Sequence, residues 1–132
     1  MFRSFLIYLS KASWAQKSVV GWKFAWKAAS RFVAGSSIED AIRTVRELNE
    51  KGFNATLDHL GESTTTIAEA NQAAEDVIEL LEKINTCHVR ANVSIKLTQI
   101  GLAIDGSLCE ENLERILTRA KQYKNFVRID IE

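Results

Sequence analysis

Three short runs of strictly alternating apolar and polar residues, separated by longer runs with apolar residues at helical spacing, constrain this chain's fold more than any single residue does. Phe53, Ala55 and Leu57 alternate with Asn54, Thr56 and Asp58; Val93, Ile95 and Leu97 alternate with Asn92, Ser94 and Lys96; Val127, Ile129 and Ile131 alternate with Arg128, Asp130 and Glu132. A period of two is the pattern of a strand with one apolar and one polar face. The helical runs place Ile38, Ala41, Ile42, Val45 and Leu48 on one face before the first strand. Ile67, Ala70, Ala74, Val77, Ile78, Leu81 and Ile84 do the same before the second, and Leu113, Ile116, Leu117 and Ala120 before the third. Asp58, Lys96 and Asp130 fall at equivalent points of this repeat, at strides of 38 and 34 residues.

Local punctuation agrees with that reading. Ser36, followed three residues later by Glu39, predicts a capping box at the first helix, and Gly52 predicts its C-terminal cap. Thr66 and Glu69 predict a second capping box. The chain has no proline and no Gly/Ser-rich stretch, so nothing signals an internal boundary. Residues 36–132 are expected to form one continuous unit, preceded by a helical arm over residues 1–35.

A helix inside each strand-to-strand connection implies crossovers and therefore parallel neighbours. Element order alone leaves open a closing sheet with helices on one side and an open sheet covered on both. Parallel strands buried on both faces are near-continuously apolar, whereas these alternate, so one face must meet something polar. A barrel satisfies this when the apolar faces pack on helices and the polar faces line the lumen, with charges gathered near the strands' C-terminal ends. An antiparallel sheet with a solvated face would need two helix-containing connections that are not crossovers. The expected fold class is α/β: an incomplete (β/α)8, or TIM, barrel with N-terminal helices and three parallel strands present. A complete barrel takes about 250 residues; with 132 here, a truncated portion is expected.

Composition bounds the partners. The formal net charge is zero, which removes the electrostatic argument for nucleic acid. The charge is unevenly spread, because Arg3, Lys11, Lys17, Lys23, Lys27 and Arg31 precede the first acid, Glu39. Trp14, Trp22, Phe24 and Trp26 lie among those cations, as in amphipathic helices at a membrane surface or in transit peptides; a helical lead-in packed on the main unit fits as well. No apolar run approaches the roughly 18 residues that span a bilayer. Cys87 and Cys109 form no disulfide framework and match no zinc spacing, even with His88 adjacent, so no metal site is expected.

Four segments carry a resemblance. Arg31-Phe32-Val33-Ala34-Gly35, Thr56-Leu57-Asp58-His59-Leu60-Gly61-Glu62, Ser94-Ile95-Lys96-Leu97-Thr98-Gln99-Ile100-Gly101-Leu102 and Phe126-Val127-Arg128-Ile129-Asp130-Ile131-Glu132 together resemble the bacterial, monofunctional, FAD-dependent proline dehydrogenase family. The resemblance covers residues 31–132, and three of the four segments lie at predicted strand ends. It implies a distorted (β/α)8 barrel that holds FAD, oxidises L-proline to Δ1-pyrroline-5-carboxylate and passes electrons to a quinone. It also implies a cytoplasmic protein, with peripheral contact at the inner membrane.

The same resemblance assigns residues. Lys96 matches the family lysine that contacts the substrate carboxylate together with two arginines expected beyond residue 132. Asp58 and Asp130 match strand-end carboxylates flanking that lysine, either as part of the site or as a lumen ion-pair network. Glu62 matches a glutamate of the first βα loop that pairs with one of those arginines and closes over the substrate. His59 departs from the family pattern and is expected to be a packing or surface residue. Thr98 and Gln99 are expected either near the cofactor or capping the following turn, and Glu132 either belongs to the site or ends the strand. The main FAD contacts are expected from later strands, so this chain alone is expected to be inactive and not to retain FAD. A non-catalytic membrane-associating or partner-binding fragment is the alternative. Methylenetetrahydrofolate reductase is a related flavin barrel, and the Lys96 and Asp130 motifs favour the proline enzyme over it.

Overall fold

The computed structural model describes residues 33–61 and 64–131, so the arm over residues 1–35 lies almost wholly outside the described residues, as do Glu62 and Glu132. From Ser37 onward the chain forms a unit of its own. Its elements are α1 (Ile38–Glu50), β1 (Ala55–Asp58), α2 (Ile67–Thr86), β2 (Ala91–Lys96), α3 (Gly106–Gln122) and β3 (Val127–Asp130). The strands pair in parallel in the order β1-β2-β3.

Each helix starts on a side chain that satisfies amides the helix itself cannot. Ser37, not Ser36, caps α1: its backbone is extended, and its Oγ accepts from the Asp40 amide at 3.2 Å. The shift of one residue puts Glu39 and Asp40 in the first turn, where the helix dipole favours acids. Thr66 and Glu69 form the expected capping box on α2. Asp105 caps α3 by accepting from the Ser107 and Leu108 amides at 2.7 and 3.1 Å.

The helix ends share one geometry. In α1 the Gly52 amide donates to the Asn49 carbonyl and the Phe53 amide to the Leu48 carbonyl, the paired reverse bonds of a Schellman motif. His88 and Asn85, with Val89 and Ile84, repeat it after α2; Lys124 and Lys121, with Asn125 and Ala120, repeat it after α3. The left-handed residues are Gly52, His88 and Lys124, at φ +88°, +52° and +53°, at a constant stride of 36 residues. Ala55, Ala91 and Val127 begin the three strands at the same stride. In register, Ala55 faces Ala91, whereas Val127 faces Val93, so the strand starts are offset by zero and then by two residues.

One apolar core lies on one face of the sheet. Val93 and Ile95 of β2 pack in a single cluster with Ile42 of α1, Val77, Ile78 and Leu81 of α2, and Ile116 and Ala120 of α3. Burial of such side chains supplies about 25 cal/mol per Å² of apolar surface. The opposite face carries Thr56, Asp58, Asn92, Ser94, Lys96, Arg128 and Asp130, as the alternation requires. Leu117 departs from expectation: it is exposed, and α3 instead buries Cys109 and Asn112. Asn112 is accommodated because its Nδ2 donates to the Ile100 carbonyl and its Oδ1 accepts from Arg115. The strands are also shorter than the alternating runs. Phe53 lies before β1 because its amide is committed to the α1 end, Leu97 turns out of β2, and Ile131 is exposed beyond β3. Among the described residues no helix is long and apolar enough to cross a membrane.

Candidate functional site

Parallel pairing brings the C-terminal ends of β1, β2 and β3 to one sheet edge, and these ends are Asp58, Lys96 and Asp130. Their heights differ from the equal placement that the strides of 38 and 34 implied. Asp58 is level with Ser94, which is level with Arg128; Lys96 is level with Asp130. The two-residue offset between β2 and β3 produces this arrangement, lifting Asp130 to the height of the lysine.

Arg128, which the sequence reading did not single out, is a central charge of the group. Its Nε donates to Asp130 Oδ1 at 2.7 Å and its Nη2 to Oδ2 at 3.1 Å. Such bidentate pairs are the strongest ordinary charge-assisted hydrogen bonds. The Arg128 hydrogen bonds hold the Asp130 carboxyl below its usual range, helped by the Arg128 charge, the Ser94 hydroxyl and the Lys96 charge. Asp130 in turn raises Arg128, with a smaller contribution from Asp58. Two acids and two cations therefore alternate over three strand ends. The signal for Arg128 was present in the sequence, since it shares the polar parity of Asp130. Ser94 is almost fully buried among these charges. Lower on the same face the Thr56 hydroxyl donates to Asn92 Oδ1 at 2.8 Å, while Asn92 Nδ2 is buried without a partner.

Behind the edge, the turn after β2 is built by Gln99. Its carboxamide accepts from the Lys96 amide at 3.1 Å and donates to the His59 carbonyl at 2.8 Å. The Thr64 hydroxyl reaches the Thr98 and Gln99 carbonyls at 2.9 and 3.0 Å. Of the two roles open to Gln99, the described contacts give the capping one. The His59 ring is exposed, 3.6 Å from the Asp76 carboxylate on α2. Glu62 and Glu132 lie outside the described residues. Cys109 is buried, which pushes its thiol up and leaves it inert; Cys87 is also a free thiol. Among the described residues no group of three or more His, Cys, Asp or Glu side chains could hold a metal ion.

The described residues do not fit the pyrophosphate of a flavin dinucleotide. A helix N-terminus is the usual seat for such an anion. Here α1 carries Glu39 and Asp40 in its first turn, α2 is closed by Glu69, and α3 by the Asp105 carboxylate.

Comparison with known proteins gives this edge its context. The family described as proline dehydrogenase matches residues 41–132. Proline dehydrogenase 2 of Bacillus subtilis (strain 168) is 35% identical over 130 residues, which are 98% of this chain and 43% of that protein. Proline dehydrogenase 1 of the same strain is 44% identical over 104 residues, 79% of this chain and 34% of that protein. Proline dehydrogenase of Deinococcus radiodurans is 40% identical over 110 residues, 81% of this chain and 36% of that protein. The chain thus spans less than half the length of these relatives, and the family match over residues 41–132 takes in the strand ends that carry Asp58, Lys96 and Asp130. The chain belongs to the proline dehydrogenase family.

Proposed function

We propose that this chain contributes the opening βα units of an FAD-dependent proline dehydrogenase, an oxidoreductase that converts L-proline to Δ1-pyrroline-5-carboxylate and delivers the electrons to a quinone. Beside family membership, one observation carries this reading: Lys96 ends β2 directly opposite Asp130, on the polar face, at the edge where a parallel barrel carries its chemistry. Two features support the barrel. All three described helices share one core on one side of the sheet. Strand offsets of zero and two average one residue per strand, the stagger that closes eight strands with a shear of eight.

In this reading Lys96 receives the carboxylate of L-proline. Asp130, kept ionised by Arg128, stands level with the lysine, and Asp58 adds its charge opposite the guanidinium. Loss of hydride from the ring carbon beside nitrogen requires a neutral amine held in one orientation, so a fixed carboxylate anchor is this chain's contribution. To Glu62, outside the described residues, this reading assigns the family glutamate's part of closing over the substrate with an arginine from another segment. FAD is held by other segments of the barrel, and the 132-residue chain by itself neither retains it nor turns over proline.

A chimera tests this. This chain replaces the matching part of Bacillus subtilis proline dehydrogenase 1, and L-proline-dependent dye reduction is measured beside flavin content. The expected result is turnover that Lys96→Met lowers by two orders of magnitude or more while flavin content holds. A flavin-loaded chimera whose kinetics ignore Lys96→Met overturns the assignment.

A further inference from the structure

Gln99 is a polar side chain that the chemistry above does not use, yet it is among the most buried polar residues described, at 4% exposure. A carboxamide carries one acceptor end and one donor end, and here they serve two different strands. Oε1 takes the Lys96 amide as β2 ends, and Nε2 holds the His59 carbonyl just past the end of β1. The strand ladder cannot supply these bonds, because β1 pairs with β2 only as far as Asp58 and Ser94. The Thr64 hydroxyl adds a second tie to the Thr98 and Gln99 carbonyls. Gly101 closes the turn, its amide donating to the Thr98 carbonyl, with φ +115° and an α3 side chain, Leu108, against it.

We infer that Gln99 is a positioning residue for Lys96: its buried amide joins the end of β1 to the peptide that carries the lysine and so sets where the ammonium lies. The inference rests on the proposed role of Lys96 as the carboxylate anchor. Burial makes the link specific. A side chain of the same size without hydrogen bonds would leave a buried amide and a buried carbonyl unpaired, which costs more than never having formed the bonds. A carboxylate at the same place would keep the bond to the Lys96 amide but set an oxygen against the His59 carbonyl.

Nuclear magnetic resonance on the 132-residue chain tests the inference with Gln99→Met and Gln99→Glu. In Gln99→Met the Lys96 amide should exchange about tenfold faster, as expected for one lost hydrogen bond, while the Val93 and Ile95 amides keep their protection and so report an intact core. In Gln99→Glu the Lys96 amide should stay protected, and only the His59 carbonyl carbon should shift as its bond is lost. The second measurement, made in the chimera in which the other segments complete the site, is the shift of the Lys96 ammonium signal on adding L-proline, with pyrrolidine as the control lacking a carboxylate. Gln99→Met should weaken that response at least severalfold. An unchanged Lys96 amide in Gln99→Met, or an unchanged proline response beside a loosened amide, overturns the positioning role. No proline response in the unsubstituted chimera would remove the anchor assignment and the positioning role with it, while the exchange data alone would still report the strand link.

Discussion

Arg128 grips both oxygens of Asp130 from two residues away on the same strand, at 2.7 and 3.1 Å. The acid facing Lys96 is thereby held by a second cation. Arg128→Met should raise the Asp130 carboxyl toward the ordinary aspartate range, followed by carbon NMR across acid pH. The sign for stability follows from the lowered Asp130: its contribution is present above the unfolded-state value, about 3.9 for aspartate, and is lost as pH falls through the folded one. Urea midpoints should therefore fall less steeply on acidification in Arg128→Met than in the unsubstituted chain.

Glu69 accepts from the Thr65 and Thr66 amides at 2.7 and 3.1 Å, and the Thr65 amide is the main reason its carboxyl is lowered. Thr66→Ala should cost about 1 kcal/mol of stability, the usual worth of an N-cap. Glu69→Gln should destabilise at neutral pH, and the difference should vanish as Glu69 itself protonates at low pH. Denaturant melts at pH 7 and pH 3 check both.

Gly101 and Gly106 should respond in opposite ways to alanine. A Cβ at Gly101 would lie 2.9 Å from Leu108 Cδ2 on a backbone with φ +115°, so Gly101→Ala should cost roughly 2–4 kcal/mol from strain and overpacking together. Nothing lies within 4 Å of a Cβ at Gly106, in the first turn of α3, where alanine should be neutral or should add about 0.5 kcal/mol. Thermal melts of the two variants give the comparison.

Asn49 closes the opposite end of the sheet. Its Nδ2 donates to the Phe53 and Arg90 carbonyls at 2.9 and 3.1 Å, and its Oδ1 accepts from the Arg90 amide at 2.6 Å. Asn49→Ala should cost about 1–3 kcal/mol and leave the proline response at Lys96 unchanged. That outcome would separate the end that holds the sheet together from the end assigned to chemistry.

Much of this architecture was legible because helices and strands imprint different periods. The strand phases, the Thr66 and Glu69 box and the polar parity of Asp58, Lys96 and Asp130 all follow from spacing. The 36-residue repeat was hidden because a left-handed cap announces itself only as glycine. Gly52 did so, but His88 and Lys124 adopt the same conformation without the usual residue. Anchoring the repeat on Asp58, Lys96 and Asp130 instead gave unequal strides, since Lys96 lies two residues further along its strand. Ser36 and Ser37 are equally good caps by composition, and only the backbone distinguishes them. The burial of Gln99 was illegible for a deeper reason: a turn has no periodicity, so nothing local marks which of its polar groups faces inward.

The matched helix endings have a consequence for how such a chain can diversify. Because each helix ending closes with paired backbone bonds, the left-handed position itself accepts an imidazole or an ammonium as well as glycine, while side chains such as Asn49 and Asn125 add the ties between neighbouring strand starts. A left-handed joint is therefore open to residue types other than glycine, whereas the asparagines beside it carry bonds that a substitution would lose.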